Sequence, residues 1–451
     1  MKFLKLAFTI CAASLIFQAC DITKPVNPNQ PGPDSFTENS TNQQLNLLVV
    51  GSLSQMRTNY GTYIDAVGII GREHYRFSGS DPRFVGDLLG AQGGQLDDNA
   101  FYTTNPYTAR YATIKNTNLI IEGATNTTSN TVSDSDREAY LGFAKTIKAH
   151  ELLLALNQQF QNGIRVDVDE PDNLGPFLNY DDALANLASL LNEAQTNLLA
   201  ADSLLPFPLT NGFSDFDTPS ATMDRDSFVQ LNRSLAARIA LYRENYDEAI
   251  TFAEDSFLDL TGNLETGAYH VFSANSGDQL NPLFLALNST GDLRTAHPDW
   301  LDDAEAGDNR LDNAVARNEP FSNSGLTGTH DVFVYTSNTD AIPFIRNGEL
   351  VLIYAEAKIQ RNQGTDLADA VDALNLVRNN ADLPDYSGPI TQSDLITEML
   401  KQRRYELWFE GHRWIDARRY DILDDLTIDR AGDIVHEQFP RPFNEKGVQG
   451  G

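Results

Sequence analysis

The chain has 451 residues, 63 of them acidic against 33 basic, a formal charge of −30 and 41% hydrophobic residues. That charge repels polynucleotide phosphates and anionic lipid and excludes a general nucleic-acid binder. The length exceeds what one core usually organises, so repeated units or two or three lobes are expected. Only nine of the basic residues are lysine, and an acidic, lysine-poor surface suits either a saline habitat or, more simply, a well-solvated extracellular surface.

The chain begins with Lys2 and Lys5 and then runs apolar from Leu6 to Phe17, a stretch suited to a cleavable signal and too short to span a bilayer. The small Ala19 stands directly before Cys20, the arrangement lipoprotein processing needs to acylate the thiol. Residues 1–19 are therefore expected to be a lipoprotein signal peptide and Cys20 the lipidated anchor. Cys11 lies in the part removed, so the mature chain would form no internal disulfide. Residues 20–35 carry Pro25, Pro28, Pro31 and Pro33 among polar residues and read as a flexible tether, about 45 Å long if extended. Residues 36–451 are expected to form a single body.

Within the body, residues 59–110 mix Gly, Asn, Ser, Thr and Asp with scattered aromatics and read as loops. A helix follows at Ala149, Leu152, Leu153, Leu156 and Phe160. The word Asn179-Tyr-Asp-Asp-Ala-Leu184 recurs as Asn245-Tyr-Asp-Glu-Ala-Ile250, sixty-six residues on. Two periods of about thirty-three fit helix-turn-helix repeats of the tetratricopeptide kind with an intervening unit, each copy opening a helix. Leu231, Leu235, Ile239 and Tyr242 make one apolar stripe and Ile250, Ala253 and Phe257 the next. Residues 260–345 again read as loops and short elements. Leu350, Ile353, Tyr354 and Ala357, then Leu367, Val371, Leu374 and Val377, predict a further helix pair broken at Asn362–Gly364.

From Gln402 to Tyr420 charges alternate with large aromatics. Helical spacing would join Arg403 to Glu406, Glu406 to Glu410 and Glu410 to Arg413 in a charge ladder locked by Trp408, Phe409 and Trp414. Neighbouring arginines should keep both glutamates ionised, which speaks against acid catalysis.

This stretch resembles the C-terminal signature of the SusD/RagB family, surface lipoproteins that capture nutrients for outer-membrane import. The resemblance is carried by Arg403, Arg404, Glu406, Phe409, Glu410, Gly411, Arg413, Trp414, Asp416 and Arg419. Tyr111, Ile114, Asn116 and Asn118, then Gly142, Ala144, Lys148 and Ala149, then Leu235 to Tyr242, and Ile345-Arg346 with Glu349 to Ala357, are similar to earlier parts of the family in the same order. The resemblance implies a mainly α fold, in which four tetratricopeptide-like helix pairs form a right-handed scaffold and a loop-rich ligand-binding region packs on it. It further implies no chemistry and no cofactor, an outer-membrane lipid anchor, and a SusC-like TonB-dependent transporter that receives an oligosaccharide or other nutrient.

Sugar rings lie on aromatic faces while amides, carboxylates and guanidinium groups bond their hydroxyls, so a glycan site should combine both. Gly71 to Tyr111 has that mixture, and Arg72, Tyr75, Arg76, Asp98, Phe101, Tyr102 and Asn105 are its candidates, with Trp300 a further one in the second loop region. The seven histidines form no His-Glu-x-x-His, and Asp167, Asp169, Glu170 and Asp172 lack EF-hand spacing, so no metal is expected. The rival readings are a surface glycan-degrading enzyme, on the strength of abundant carboxylates alone, and a helical-repeat scaffold for protein assembly.

Overall fold

Side-chain caps mark where the helices begin. In the computed structural model, which describes residues 34–170, 172–214 and 224–446, Thr41 and Ser133 each close a capping box, with Gln44 and Asp136 respectively. They open α1 (Asn42–Gln55) and α4 (Asp134–Gln159). Between these lie α2 (Tyr60–Ile70) and α3 (Phe101–Asn126). Asn179 accepts from the Asp182 amide to open α5 (Tyr180–Ala200), and Asn245 does the same with Glu248 to open α7 (Tyr246–Glu254). α6 (Arg225–Tyr242), α8 (Asn347–Arg361), α9 (Asp366–Asn380), α10 (Gln392–Glu406) and α11 (Arg413–Arg419) complete the long elements. The signal segment, Cys20 and the tether up to residue 33 lie outside the described residues.

The repeated word does open two helices, and they are the second members of successive pairs, α4–α5 and α6–α7. The expected intervening unit is not there: between α5 and α6 the described residues form only the single turn Asn211–Ser214. Sixty-six residues make one long unit because the linker from α5 to α6 is long. Successive helices α3 to α9 pack on their neighbours, α5 against α6 and α7 against α8 across the pairs. Their apolar faces fuse into one core that includes Leu152, Leu187, Leu235, Ile250, Ile353 and Leu374. The salt bridge of Arg238 with Glu349, two bonds of 2.6 Å, ties α6 to α8 inside this core.

Residues 59–110 are more ordered than expected. They hold α2, a strand β1 (His74–Ser78) and the start of α3. Pro106 disguised that start, because it supplies no N–H to the Tyr102 carbonyl; the buried Gln158 side chain donates to this carbonyl instead, at 3.4 Å. Residues 260–345 hold β2 (Gly267–His270), β3 (Asp292–Ala296), β4 (Ala314–Asn323), β5 (Leu326–Val332) and β6 (Ile342–Arg346). Strands β1, β3, β5 and β4 form an antiparallel sheet in that order, with His74 opposite Ala296, and β2 pairs with β6. This sheet lies over a second core of Tyr63, Phe77, Trp300, Trp408, Phe409 and Trp414.

The predicted continuous ladder from Arg403 to Arg413 does not form. α10 ends at Glu406, and the chain turns through Phe409 (φ 67°) and Gly411 (φ 83°) before α11 begins. A side chain at position 411 would strain that backbone and press on Val67 and Ile64. Because the helix breaks, Arg403 pairs with Asp416 (2.7 and 3.1 Å), and Arg419 pairs with Glu356 (2.7 Å) and Asp416 (2.8 Å). Arg404 reaches Asp303 at 2.8 Å.

Candidate ligand-binding cleft

The turn after α10, strand β2, the segment Asn309–Asn313 and the loop before β6 converge on a cleft of about 580 Å³. Its back is Trp408, whose ring stacks on Trp300 at 3.9 Å and whose indole N–H donates to the Glu73 carbonyl at 3.1 Å. Tyr405, Tyr335 and Tyr269 bring further rings, and Asn309, Asn313 and Asn380 bring amides.

Arg346 organises the charged wall. It ends β6 and precedes α8, so strand and helix together fix it. Its guanidinium donates to Glu406 at 2.6 Å and to Glu410 at 2.7 and 3.0 Å, and Glu265 stands 3.4 Å away. Burial nevertheless pushes Glu410 up to about 7, against the pull of Arg346. The expectation that neighbouring arginines would hold Glu410 fully ionised is thus corrected: the burial the turn imposes outweighs one guanidinium. Beneath the wall, Glu73 accepts from the Phe409 amide and burial lifts it to about 8. The Tyr335 hydroxyl is buried without a hydrogen-bond partner.

None of the candidates chosen from the sequence lines this cleft. Trp300 and Tyr102 are fully buried, the first under Trp408 and the second donating its hydroxyl to Asp87 at 2.6 Å. Arg72 and Tyr75 are buried as well. Arg72 pairs with Asp429 at 2.9 Å and donates to the Thr427 carbonyl, and the Tyr75 hydroxyl donates to Asp429, which also meets His297 at 2.8 Å. These four side chains serve the second core and are withdrawn from solute. Arg76 pairs with Asp65 and Asp292 while its guanidinium lies over Phe84, and Phe84 meets Phe101 edge-on at 4.9 Å, so the fold does bring Arg76 and Phe101 together. Asp98 pairs with Lys446, and Asn105 is exposed on α3. In the acidic loop, Asp169 pairs with Lys148 at 2.8 Å.

Glu265, Tyr269, Tyr335 and Arg310 are among the cleft residues the sequence left unmarked. The available signal was the C-terminal signature itself, since Trp408, Glu406 and Glu410 belong to that stretch and form one wall.

The fold, a helical scaffold carrying a small sheet, is that of SusD-like proteins. Superposition gives a TM-score of 0.65 with a SusD superfamily protein from Bacteroides vulgatus ATCC 8482, over 91% of this chain and 97% of that one at 16% identity. A SusD superfamily protein from Parabacteroides distasonis ATCC 8503 also gives 0.65, covering 90% and 97% at 16% identity. A laminarin-binding SusD-like protein gives 0.60, covering 91% and 98% at 17% identity. No curated protein matches the chain. Residues 310–449, which include much of the cleft, match the model of the SusD family.

Proposed function

We propose that this protein captures a glycan at the outer face of the outer membrane, lipid-anchored through Cys20, and delivers it to a SusC-like TonB-dependent transporter. The observation that carries the reading is the cleft, where the half-buried ring of Tyr269, above a floor of buried rings, stands beside amides and carboxylates in the combination that oligosaccharides require. The laminarin-binding neighbour supports a glycan as the ligand class, and the match of residues 310–449 to the SusD family supports the transporter as partner. Among the described residues no helix is long and apolar enough to cross a membrane, which agrees with attachment by a lipid.

Glu410, raised to about 7, is the one feature that favours a hydrolase. Glycoside hydrolysis needs carboxyl groups on either side of the scissile bond, whereas Glu265, Glu406 and Glu410 all gather around the one guanidinium of Arg346. Incubation with laminarin and a panel of other polysaccharides tests both readings. Retention of a glycan without products is expected, with Tyr269→Ala weakening it about fivefold through loss of a ring face. Release of shortened products would sink the binding-only reading.

A further inference from the structure

The charges in the cleft do not balance. Glu265, Glu406 and Glu410 surround one guanidinium, Arg346, and Glu406 also lies 3.7 Å from a second, Arg310. Arg310 is held more closely by Asp308, through bonds of 2.8 and 2.7 Å, and by Gln402 at 2.9 Å, so Glu265 and Glu410 have Arg346 alone between them. Asp340 adds a fourth carboxylate, occupied by the amides of Thr336 and Ser337. Among the described residues no lysine or histidine lines the cleft.

One buried polar group on the same wall is also unsatisfied, and Glu410 presents a second oxygen: both bonds from Arg346 land on Oε1, which leaves Oε2 free of that guanidinium. The Tyr335 hydroxyl is buried, on a residue only 5% exposed, and it has no partner. A buried polar group without a bond costs free energy that a ligand donor recovers. At the mouth the Glu265 side chain is 62% exposed, while Tyr269 donates to it at 3.2 Å and offers its ring beside it.

We propose that the cleft selects a sugar carrying a protonated primary amine, the ammonium seated between Glu410 Oε2, the Glu265 carboxylate and the Tyr335 hydroxyl while the ring lies against Tyr269. This rests on the glycan-capture reading and names its ligand class. An ammonium brings the missing positive charge and three donors at once. It would replace the proton that burial otherwise draws onto Glu410. A neutral sugar satisfies the lone pairs but leaves the charge excess in place, and a uronate or sulfated sugar adds to it.

Isothermal titration of the full chain near neutral pH compares a glucosamine tetramer, an N-acetylglucosamine tetramer, a laminarin tetramer and a galacturonate tetramer. The glucosamine tetramer should bind about tenfold or more tighter than its N-acetylated form, with the galacturonate tetramer weakest and the preference shrinking as salt is added. In Glu265→Gln the ratio of amine to N-acetyl affinity should fall, and in Glu265→Gln/Glu410→Gln it should approach one. Glu265 is exposed, so the single variant keeps the test valid if the double variant does not fold. Equal or tighter binding of the neutral tetramers overturns the amine assignment and leaves glycan capture standing. No binding by any tetramer overturns both. Carboxylate-dependent binding of a lysine-rich peptide in place of the sugars overturns the choice of an amino sugar.

Discussion

Arg346 holds together charges that would otherwise be costly to bury. Glu406 and Glu410 both depend on it, and all three side chains are largely withdrawn from water. Removing one partner of a buried ion pair strands the rest, so Arg346→Ala should lower stability by about 3–5 kcal/mol, read by chemical denaturation. Restoring part of that loss with Glu410→Gln in the same chain would confirm that the stranded carboxylate is the cause. Glu73 sets a pH dependence of a different kind. Burial raises it from 4.5 to about 8, so between those values the folded state holds a proton that the unfolded state has released. Its contribution is therefore fully present below about pH 4.5 and is lost as pH rises toward 8, by at most about 1.4 kcal/mol per pH unit. Glu151 and Glu410, each raised to about 7, add slopes of the same sign. Glu73→Gln should flatten the decline of the melting temperature with pH; an unchanged slope would place the titration elsewhere.

At the scale of the element, the capping asparagines turn a repeated word into a repeated helix start. Asn179 and Asn245 each satisfy an amide that the first helical turn leaves open, and acidic residues beside them favour the positive end of the helix. Asn179→Ala is expected to cost about 1 kcal/mol, as should Asn245→Ala, and the two losses should add because the sites lie in different helix pairs. Denaturation of the single and double variants checks both the size and the sum. The helix pairs were legible because capping and a 3.6-residue stripe are local properties, seen at Leu231, Leu235 and Ile239 before any contact is known. The start of α3 was not legible, because its compensation for Pro106 comes from Gln158 on another helix. The break after Glu406 was equally hidden. A charge pattern that suits a continuous helix was overridden by burial of Trp408 and Phe409 in the second core, reached through the left-handed turn at Phe409 and Gly411.

For the whole molecule, the proposed anchor and the cleft make separate demands. If Cys20 carries the lipid, Cys20→Ala should move the protein from the membrane fraction to the soluble one and leave glycan titration of the purified chain unchanged. Retention in the membrane fraction would refute the anchor. The strong negative charge bears on the same point: a chain at −30 is repelled by an anionic surface, so attachment by charge alone is disfavoured.

What could be read from the chain alone was the mainly helical class, the positions of the helix pairs and the resemblance of the C-terminal stretch to a family, because each rests on residues close together in sequence. The binding surface belonged to the tertiary structure. Its walls come from residues near 265, 310, 340 and 408, which no local pattern connects, and folding decided which aromatics would be buried. Trp300 and Tyr102 were spent on the core while Tyr269 was left facing the cleft, since exposure depends on what packs against a ring and not on the ring itself.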